Sequence, residues 1–331
     1  MRTRQSVEGA LTVVLIIGAW LWLGSSGASY FRSLASLAAI YYLLAFSLNI
    51  VLGFTDLISF GQAAFFGVGA YASVIVAVEL GAGLLGGMAV GVALSVVLAL
   101  VVALASARLS GVYFALATLA AAQMVYIVIL NWVGLTRGPL GMSLPGTART
   151  LAGAVRVDRE LLFSVVMTTA LLATIGLFLF LQSDAGHRMV SVRENPDLAA
   201  SIGVRPLQQR SLAFAASGAV ASIGGSLYAF NYGVLTPDVS ALHYSALALL
   251  IVIFGGKGTI LGPLIGAIAF VVIPEAIGLT GTLGEVAFAA VLLVIVLLLP
   301  KGVIGSVYTW RRPSWLSGRP SRTDPALRGS L

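Results

Sequence analysis

The sequence predicts an all-α polytopic membrane protein, a bundle of about ten transmembrane or re-entrant helices. The composition is the first observation: 59% of the 331 residues are hydrophobic and 9% are charged, whereas a soluble domain carries about 25% charged residues. The second observation is continuity, because the apolar runs do not alternate with polar residues, as in residues 94–105 and 286–299. Strands of a membrane barrel would alternate, so the pattern favours helices.

Ten uncharged stretches are candidate spans, because about 20 apolar residues are needed to cross the hydrocarbon of a bilayer. Three of them, 57–78, 239–256 and 258–274, are short or rich in glycine, and whether they cross fully is left open. The first stretch follows a basic N-terminus, and we interpret it as an uncleaved helix rather than a signal peptide. The ten stretches are residues 9–31, 33–55, 57–78, 80–107, 109–136, 161–183, 211–237, 239–256, 258–274 and 286–300.

The basic residues predict the orientation of the bundle. If ten spans alternate from a cytoplasmic N-terminus, fourteen of the 19 basic residues lie on the cytoplasmic side, as the positive-inside rule requires. Both termini and residues 182–210 are then cytoplasmic, residues 132–160 are an outer loop, and residues 307–331 form a disordered basic tail beyond a membrane domain of residues 1–306. The net charge of +7 is therefore attributed to cytoplasmic loops and not to nucleic-acid binding.

The polar run of residues 182–210 contains a compact helix signal. Asn195 is a good N-cap, Pro196 suits the first helical position, and Asp197 places negative charge in the first turn. Leu198 and Ile202 lie four residues apart on one face, and Gly203 is placed to end the helix as its left-handed cap. The alternative is an ordinary solvated loop, but a self-capped helix with an apolar face suggests a contact surface for another protein.

A glycine-rich segment, residues 48–71, predicts an interrupted helix. Broken segments with Gly or Pro line the substrate route in many transporters, whereas small residues also allow close helix packing, and polar residues in spans more often bridge helices. Residues 254–274 share the glycine break, although the match is too loose to establish a repeat. The candidate pathway residues are Asn49, Gly61, Gln62, Gly67, Gly69, Tyr71, Thr118, Gln123 and Asn231.

Several classes of function lack their sequence signals. There is no Walker A loop, no nucleotide-binding glycine motif after a strand and no H-E-x-x-H, and the absence of cysteine removes thiolate metal sites and disulfides. We therefore predict no catalytic residues, no metal site and no cofactor bound by this chain. No acid or histidine lies securely at the centre of a span, which argues against a proton-coupled carrier acting alone.

Four segments in order resemble the LivM-type permeases of branched-chain amino acid ABC importers. They are residues 48–71 (LNIVLGFTDLISFGQAAFFGVGAY), 109–141, 186–204 (GHRMVSVRENPDLAASIGV) and 249–275, followed by the closing LLLPKGVIG. The resemblance covers about residues 30–306. Two positions depart from the family pattern: Asp56 stands where the family often has glycine, and Lys257 stands where leucine is frequent. The third segment resembles the family's cytoplasmic coupling segment, and in it only Asp197, Ala199 and Gly203 fit the broader importer pattern.

The resemblance implies a subunit of an ATP-driven importer in a bacterial inner membrane. Its partners would be a second related permease, two ATPase subunits that bind ATP and Mg, a periplasmic or lipid-anchored binding protein and membrane lipid. The short helix would be the coupling helix, with Leu198 and Ile202 in a groove on an ATPase and with Arg193 and Glu194 at its rim. Urea, amides or other amino acids are alternative cargoes, and an ion-coupled carrier or a membrane enzyme is a more distant alternative.

Overall fold

A helical bundle is observed in the computed structural model, which describes residues 2–25, 29–109, 111–277 and 302–304. The predicted tenth span, 286–300, and the predicted tail, 307–331, lie outside these residues. The helices are α1 (Arg2–Ser25), α2 (Ser29–Thr55), α3 (Gln62–Glu79), α4 (Gly83–Ala105), α5 (Gly111–Asn131), α6 (Val133–Thr136), α7 (Arg159–Gln182), α8 (Asp184–Glu194), α9 (Pro196–Ser201), α10 (Pro206–Tyr232), α11 (Leu242–Gly255) and α12 (Gly262–Ile277).

The predicted fold class is confirmed. Within the described residues, 7 helices are long and apolar enough to cross a membrane, namely α1 to α5, α7 and α10. The predicted stretches 239–256 and 258–274 become α11 and α12, with 14 and 16 residues. Helices of this length are shorter than the roughly 17–25 residues of a typical span.

The third predicted stretch, 57–78, begins later than expected. Residues 56–61 are not helical and α3 starts at Gln62, because Asp56 adopts a left-handed φ of 56° that a right-handed helix cannot continue. The hydroxyl of Ser59 then accepts a hydrogen bond from Gly61 N at 3.1 Å. The expected break before the glycine-rich helix is therefore present, six residues long.

A second break, residues 256–261, joins α11 to α12 and, like the first, is six residues long. With an offset of 201 residues, the separation that joins Asp56 to Lys257, Gly61 aligns with Gly262. At the same offset, three residues of α2 are identical to residues of α11: Leu48 and Leu249, Ile50 and Ile251, and Val51 and Val252. The two halves therefore share a helix–break–helix unit, which the sequence only hinted at.

Helices α3 and α10 pack at very short range through small residues. A Cβ atom on Gly69 would lie 2.5 Å from Ser222 Cα, and one on Gly225 would lie 2.8 Å from the carbonyl carbon of Phe66. Glycine is required at both positions because any side chain would overlap the backbone of the facing helix. Helix α4 packs against the same pair, so α3, α4 and α10 form the tightest part of the bundle.

The polar run 182–210 contains two helices rather than the one predicted. Helix α8 was missed because its residues are mostly polar, yet it is well signalled: Ser183 caps it by accepting a hydrogen bond from Gly186 N at 3.3 Å, and Arg193 lies in its last turn. Met189 and Val192 are buried. The predicted helix Pro196–Ile202 is present as α9 and ends one residue earlier, at Ser201.

The predicted outer loop, 132–160, carries a small β-structure. Strand β1 (Met142–Ser143) pairs antiparallel with β2 (Val234–Leu235), which follows α10. Gly141, with φ of 71°, has space for no side chain, since a Cβ atom would overlap the carbonyl oxygen of Leu235. This pairing ties the loop to the end of the bundle where α2 and α7 begin.

Candidate functional site

Helix α9 has the caps that the sequence predicted. The side chain of Asn195 accepts hydrogen bonds from Asp197 N at 3.1 Å and Leu198 N at 3.0 Å, which satisfies two of the free N–H groups at the start of the helix. Gly203 has the expected left-handed φ, 86°, and Val204 N donates to Ala199 O at 3.0 Å. The short helix is therefore closed at both ends by its own residues.

The two large apolar side chains of α9 and its C-cap, Leu198 and Ile202, are exposed and do not pack against the rest of the chain. Leu198 is 64% exposed and Ile202 is 71% exposed, whereas the neighbouring Ala199, about 100° around the helix from Leu198, is 2% exposed and anchors the helix. Helix α9 contacts α8 and α10. A rigid, self-capped helix with two exposed aliphatic side chains has the form of a helix that docks into an apolar groove.

Arg193 and Glu194 differ from each other in orientation. Glu194 is exposed, but the Nη1 atom of Arg193 donates a 2.6 Å hydrogen bond to the carbonyl oxygen of Gly53 at the end of α2. A charged donor makes this bond stronger than an ordinary backbone contact. The guanidinium of Arg193 therefore binds to a carbonyl of its own chain. The sequence had predicted this side chain at the rim of a groove on the ATPase.

The bond from Arg193 belongs to a larger cluster, which we call the polar junction: Glu8, Asn49, Gly53–Asp56, Arg193 and residues 256–261. Asn49, which is fully buried, donates to Thr259 O at 2.8 Å and accepts from Gly258 N at 2.9 Å. A Cβ atom on Gly53 would lie 2.8 Å from Gly258 N. The end of α2 is thus pinned to the second break by a side chain and by direct backbone contact.

Glu8 is a member of the junction that the sequence analysis did not single out. Its carboxylate is 3% exposed and accepts a hydrogen bond from Ile260 N at 3.2 Å. The one local signal in the sequence is an acid directly before the first apolar stretch, residues 9–31. Asn49 and Glu8 together satisfy three backbone groups of the second break, so this non-helical segment is well ordered.

The two positions that depart from the family pattern contact each other. Lys257 Nζ lies 3.3 Å from Asp56 Oδ1, and both side chains are more than half exposed. An exposed ion pair of this kind contributes roughly 0–1 kcal/mol, so it adds little stability. Aspartate is among the few residues that tolerate the left-handed conformation of position 56.

Three candidate pathway residues meet beside the first break. The Thr118 hydroxyl accepts from Phe60 N at 3.1 Å, and a Cβ atom on Gly61 would lie 3.6 Å from Thr118 Cβ. The Oε1 atom of Gln62 accepts from the hydroxyls of Ser47 and Ser217, each at 3.1 Å. Gln62 is fully buried and its Nε2 atom has no hydrogen-bond partner.

The remaining candidates are scattered. Gly67 and Gly69 pack on neighbouring backbone, Tyr71 is 3% exposed with an unpartnered hydroxyl, and Gln123 is exposed on α5. Asn49, as described above, belongs to the polar junction. The sequence-predicted pathway residues therefore occupy several places in the bundle and do not line one channel within this chain.

Asn231 lies at a cavity of about 680 Å³ at the opposite end from the junction. Its polar lining comes from Arg32, Arg149, Arg159, Glu160, Asn231 and Glu275. Arg32 and Glu160 form an ion pair at 2.6 Å, and a Cβ atom on Gly233 would lie 2.8 Å from Arg149 Cζ. Within the described ranges, no cluster of histidine and carboxylate side chains is arranged to hold a metal ion.

Comparison with known proteins identifies the family. The family model described as branched-chain amino acid transport system / permease component matches residues 30–299. No solved structure matches the chain significantly.

Individual relatives agree with the family model. The chain is 26% identical over 287 residues to the high-affinity branched-chain amino acid transport system permease protein LivM of Salmonella typhimurium, covering 80% of this chain and 67% of the relative. It is 27% identical over 288 residues to LivM of Escherichia coli, with the same coverage. It is also 27% identical over 292 residues to the permease protein LivH of Escherichia coli, covering 82% of this chain and 92% of the relative. The chain therefore belongs to the family of permease components of branched-chain amino acid transport systems, the membrane-spanning and not the ATPase part of an ABC transporter.

Proposed function

We propose that this chain is one of two permease subunits of an ATP-driven importer for branched-chain amino acids in a bacterial inner membrane. The family match over residues 30–299 carries the proposal. Similarity to both LivM and LivH supports a complex in which this chain pairs with a second, related permease. A binding protein delivers the cargo from outside, and two ATPase subunits bind ATP and Mg on the cytoplasmic side.

The exposed helix α9 is the proposed contact with an ATPase subunit. Its two displayed side chains, Leu198 and Ile202, are 64% and 71% exposed and would enter an apolar groove, while Glu194, Asp197 and the capping Asn195 lie beside them at the surface. The distribution of basic residues supports a cytoplasmic position for this helix and for both termini. ATP-driven closure of the ATPases would move α9 and switch access of the pathway between the two faces.

The proposed pathway lies between the two permeases and not through this chain alone. The scattered placement of the candidate residues supports this arrangement. Gln123 is exposed on α5, a helix on which Met124, Ile127 and Val128 are also exposed. A polar side chain on an otherwise lipid-like surface is costly in hydrocarbon unless it meets protein or water. Gln123 is thus the candidate pathway residue best placed to face the second permease.

Reconstitution tests the proposed function directly. The chain, the second permease, both ATPases and the binding protein are incorporated into proteoliposomes, and uptake of radiolabelled leucine, isoleucine and valine is measured with and without internal ATP. We expect ATP-dependent uptake of these three amino acids. ATP-dependent uptake of urea or a short amide instead would support the ATP-driven complex but contradict the proposed cargo. Uptake without ATP would contradict the proposal as a whole.

Replacement of Gln62 separates a pathway role from helix bridging. We expect Gln62→Met to change the free energy of unfolding by less than about 1.5 kcal/mol, because the volume is kept. Both serine partners also retain carbonyl acceptors, Leu44 O for Ser47 and Ser47 O for Ser217. Thermal unfolding in detergent measures this change, and we expect uptake to stay within twofold of the native rate. A tenfold loss of uptake at unchanged stability would instead assign the amide to the pathway.

A further inference from the structure

We infer that Arg193 is the positioning residue that transmits movement of the coupling helix α9 to the two helix breaks of the bundle. The inference rests on the proposed function and adds a mechanical link that the family match does not supply. It comes from three contacts that meet at one place: the end of α2, the break 256–261 and the last turn of α8.

The first step is the short path from α9 to Arg193. Only Asn195 separates α8 from α9, and this residue serves both helices: its N–H donates to Ser191 O at 3.1 Å at the end of α8, and its side chain caps α9. A displacement of α9 therefore cannot occur without moving Asn195 and the turn of α8 that carries Arg193. We therefore expect α8 and α9 to move together as one rigid unit.

The second step is the bond that Arg193 makes to α2. Its guanidinium reaches Gly53 O at 2.6 Å, 140 residues earlier in the chain. This hydrogen bond links a charged side chain of residues 182–210 to a transmembrane helix outside that segment. Gly53 lies three residues before Asp56, where the helical conformation of α2 is lost. Arg193 is thus hydrogen-bonded to the last helical turn of α2 before the first break.

The third step brings in the second break. A Cβ atom on Gly258 would lie 3.0 Å from Arg193 Nη1 and 3.0 Å from Gly53 O, so the backbone of the second break lies beside the guanidinium and the α2 carbonyl, with no room for a side chain between them. Asn49 then fastens the same backbone to α2 through Gly258 N and Thr259 O. Because breaks are where a membrane helix bends most easily, a single arginine acts on both equivalent breaks at once.

The chemistry favours arginine at this position. A planar guanidinium keeps its charge and can hold one carbonyl with one nitrogen while its flat face lies against a glycine. Gly53 and Gly258 leave room for it, and their lack of side chains allows the two backbones to approach. Lysine could still donate one bond to Gly53 O, so it should retain part of the link.

The experiment compares Arg193→Ala with Arg188→Ala in the reconstituted complex. Arg188 lies on the same helix with the same charge, but it is exposed. We expect Arg193→Ala to lower amino acid uptake at least tenfold while the ATPases remain bound and ATP hydrolysis stays within threefold, so that less cargo moves per ATP. We expect Arg188→Ala to stay within twofold of the native uptake, and Arg193→Lys to recover at least a third of it.

Each outcome separates the inference from the proposed function. If the native complex shows no ATP-driven uptake, the proposed function fails before Arg193 is tested. If the native complex works and Arg193→Ala matches Arg188→Ala, the link does not exist. If Arg193→Ala releases the ATPases, or lowers uptake and ATP hydrolysis in equal proportion, the arginine holds the structure together without transmitting movement, and the inference is overturned.

Discussion

Replacing Gly225 by alanine is expected to lower the stability of the protein, because the added methyl group would overlap the backbone of the facing helix α3. The new Cβ atom would lie 2.8 Å from the carbonyl carbon of Phe66 and 3.1 Å from Ala70 N, both backbone atoms of α3. Backbone cannot rotate aside as a side chain can, so α3 and α10 must separate. Overpacking of this kind costs about 1–3 kcal/mol, and here the cost is expected at the upper end because the contact lies in the tightest part of the bundle.

The matched control is Gly176→Ala on α7. Gly176 is also within a long helix, but a Cβ atom there meets nothing within 4 Å. Alanine in a helix interior is favoured over glycine by roughly 0.5–1 kcal/mol, so this variant is expected to be as stable as the native protein or slightly more stable. Thermal unfolding of the purified chain in detergent measures both. Equal melting temperatures for the two variants would contradict the close packing of α3 and α10.

The sequence predicted what depends on local signals. Helix α9 could be placed to within one residue because its N-cap, first-turn proline, acid and terminal glycine are all local, and each acts through the backbone groups beside it. Continuous apolar runs likewise predicted the long spans. The break at 56–61 was foreseen from Gly53, Thr55 and Asp56, although its length depends on the left-handed turn at Asp56.

Contacts between distant residues were not predictable in the same way. Arg193 has the sequence context of a surface residue, and only the fold brings it to Gly53. Asp56 and Lys257 were noticed separately as departures from a family pattern, and their pairing emerges when the two breaks are side by side. The pathway residues were chosen for polarity within apolar stretches, but a polar side chain in a span more often bonds to a neighbouring helix, as Asn49 does.

Replacing Ile202 by aspartate is expected to reduce ATP-driven uptake at least tenfold without unfolding the chain. Ile202 is 71% exposed, so the substitution costs little in the isolated protein, where the charge is solvated. In the complex, the same carboxylate would be placed in an apolar groove of the ATPase, and an ionised group without a partner is strongly disfavoured there. The loss should therefore appear as weaker binding of the ATPase, and the melting temperature of the purified chain should change little.

Ala200→Asp provides the comparison that isolates this surface. Ala200 is also exposed and also on α9, but it lies two residues from both Leu198 and Ile202, about 200° around the helix from either. It introduces the same charge into the same short helix, two residues before Ile202, so a general effect of negative charge on α9 is expected in both variants. Co-purification of the ATPase and uptake are measured for each. Loss of ATPase binding and of uptake in Ile202→Asp alone would locate the docking face on the Leu198–Ile202 side, because Ala200 lies on the other side of the helix. Equal loss in both would mean that α9 is buried on all sides by its partner, and retention in both would remove α9 from the ATPase interface.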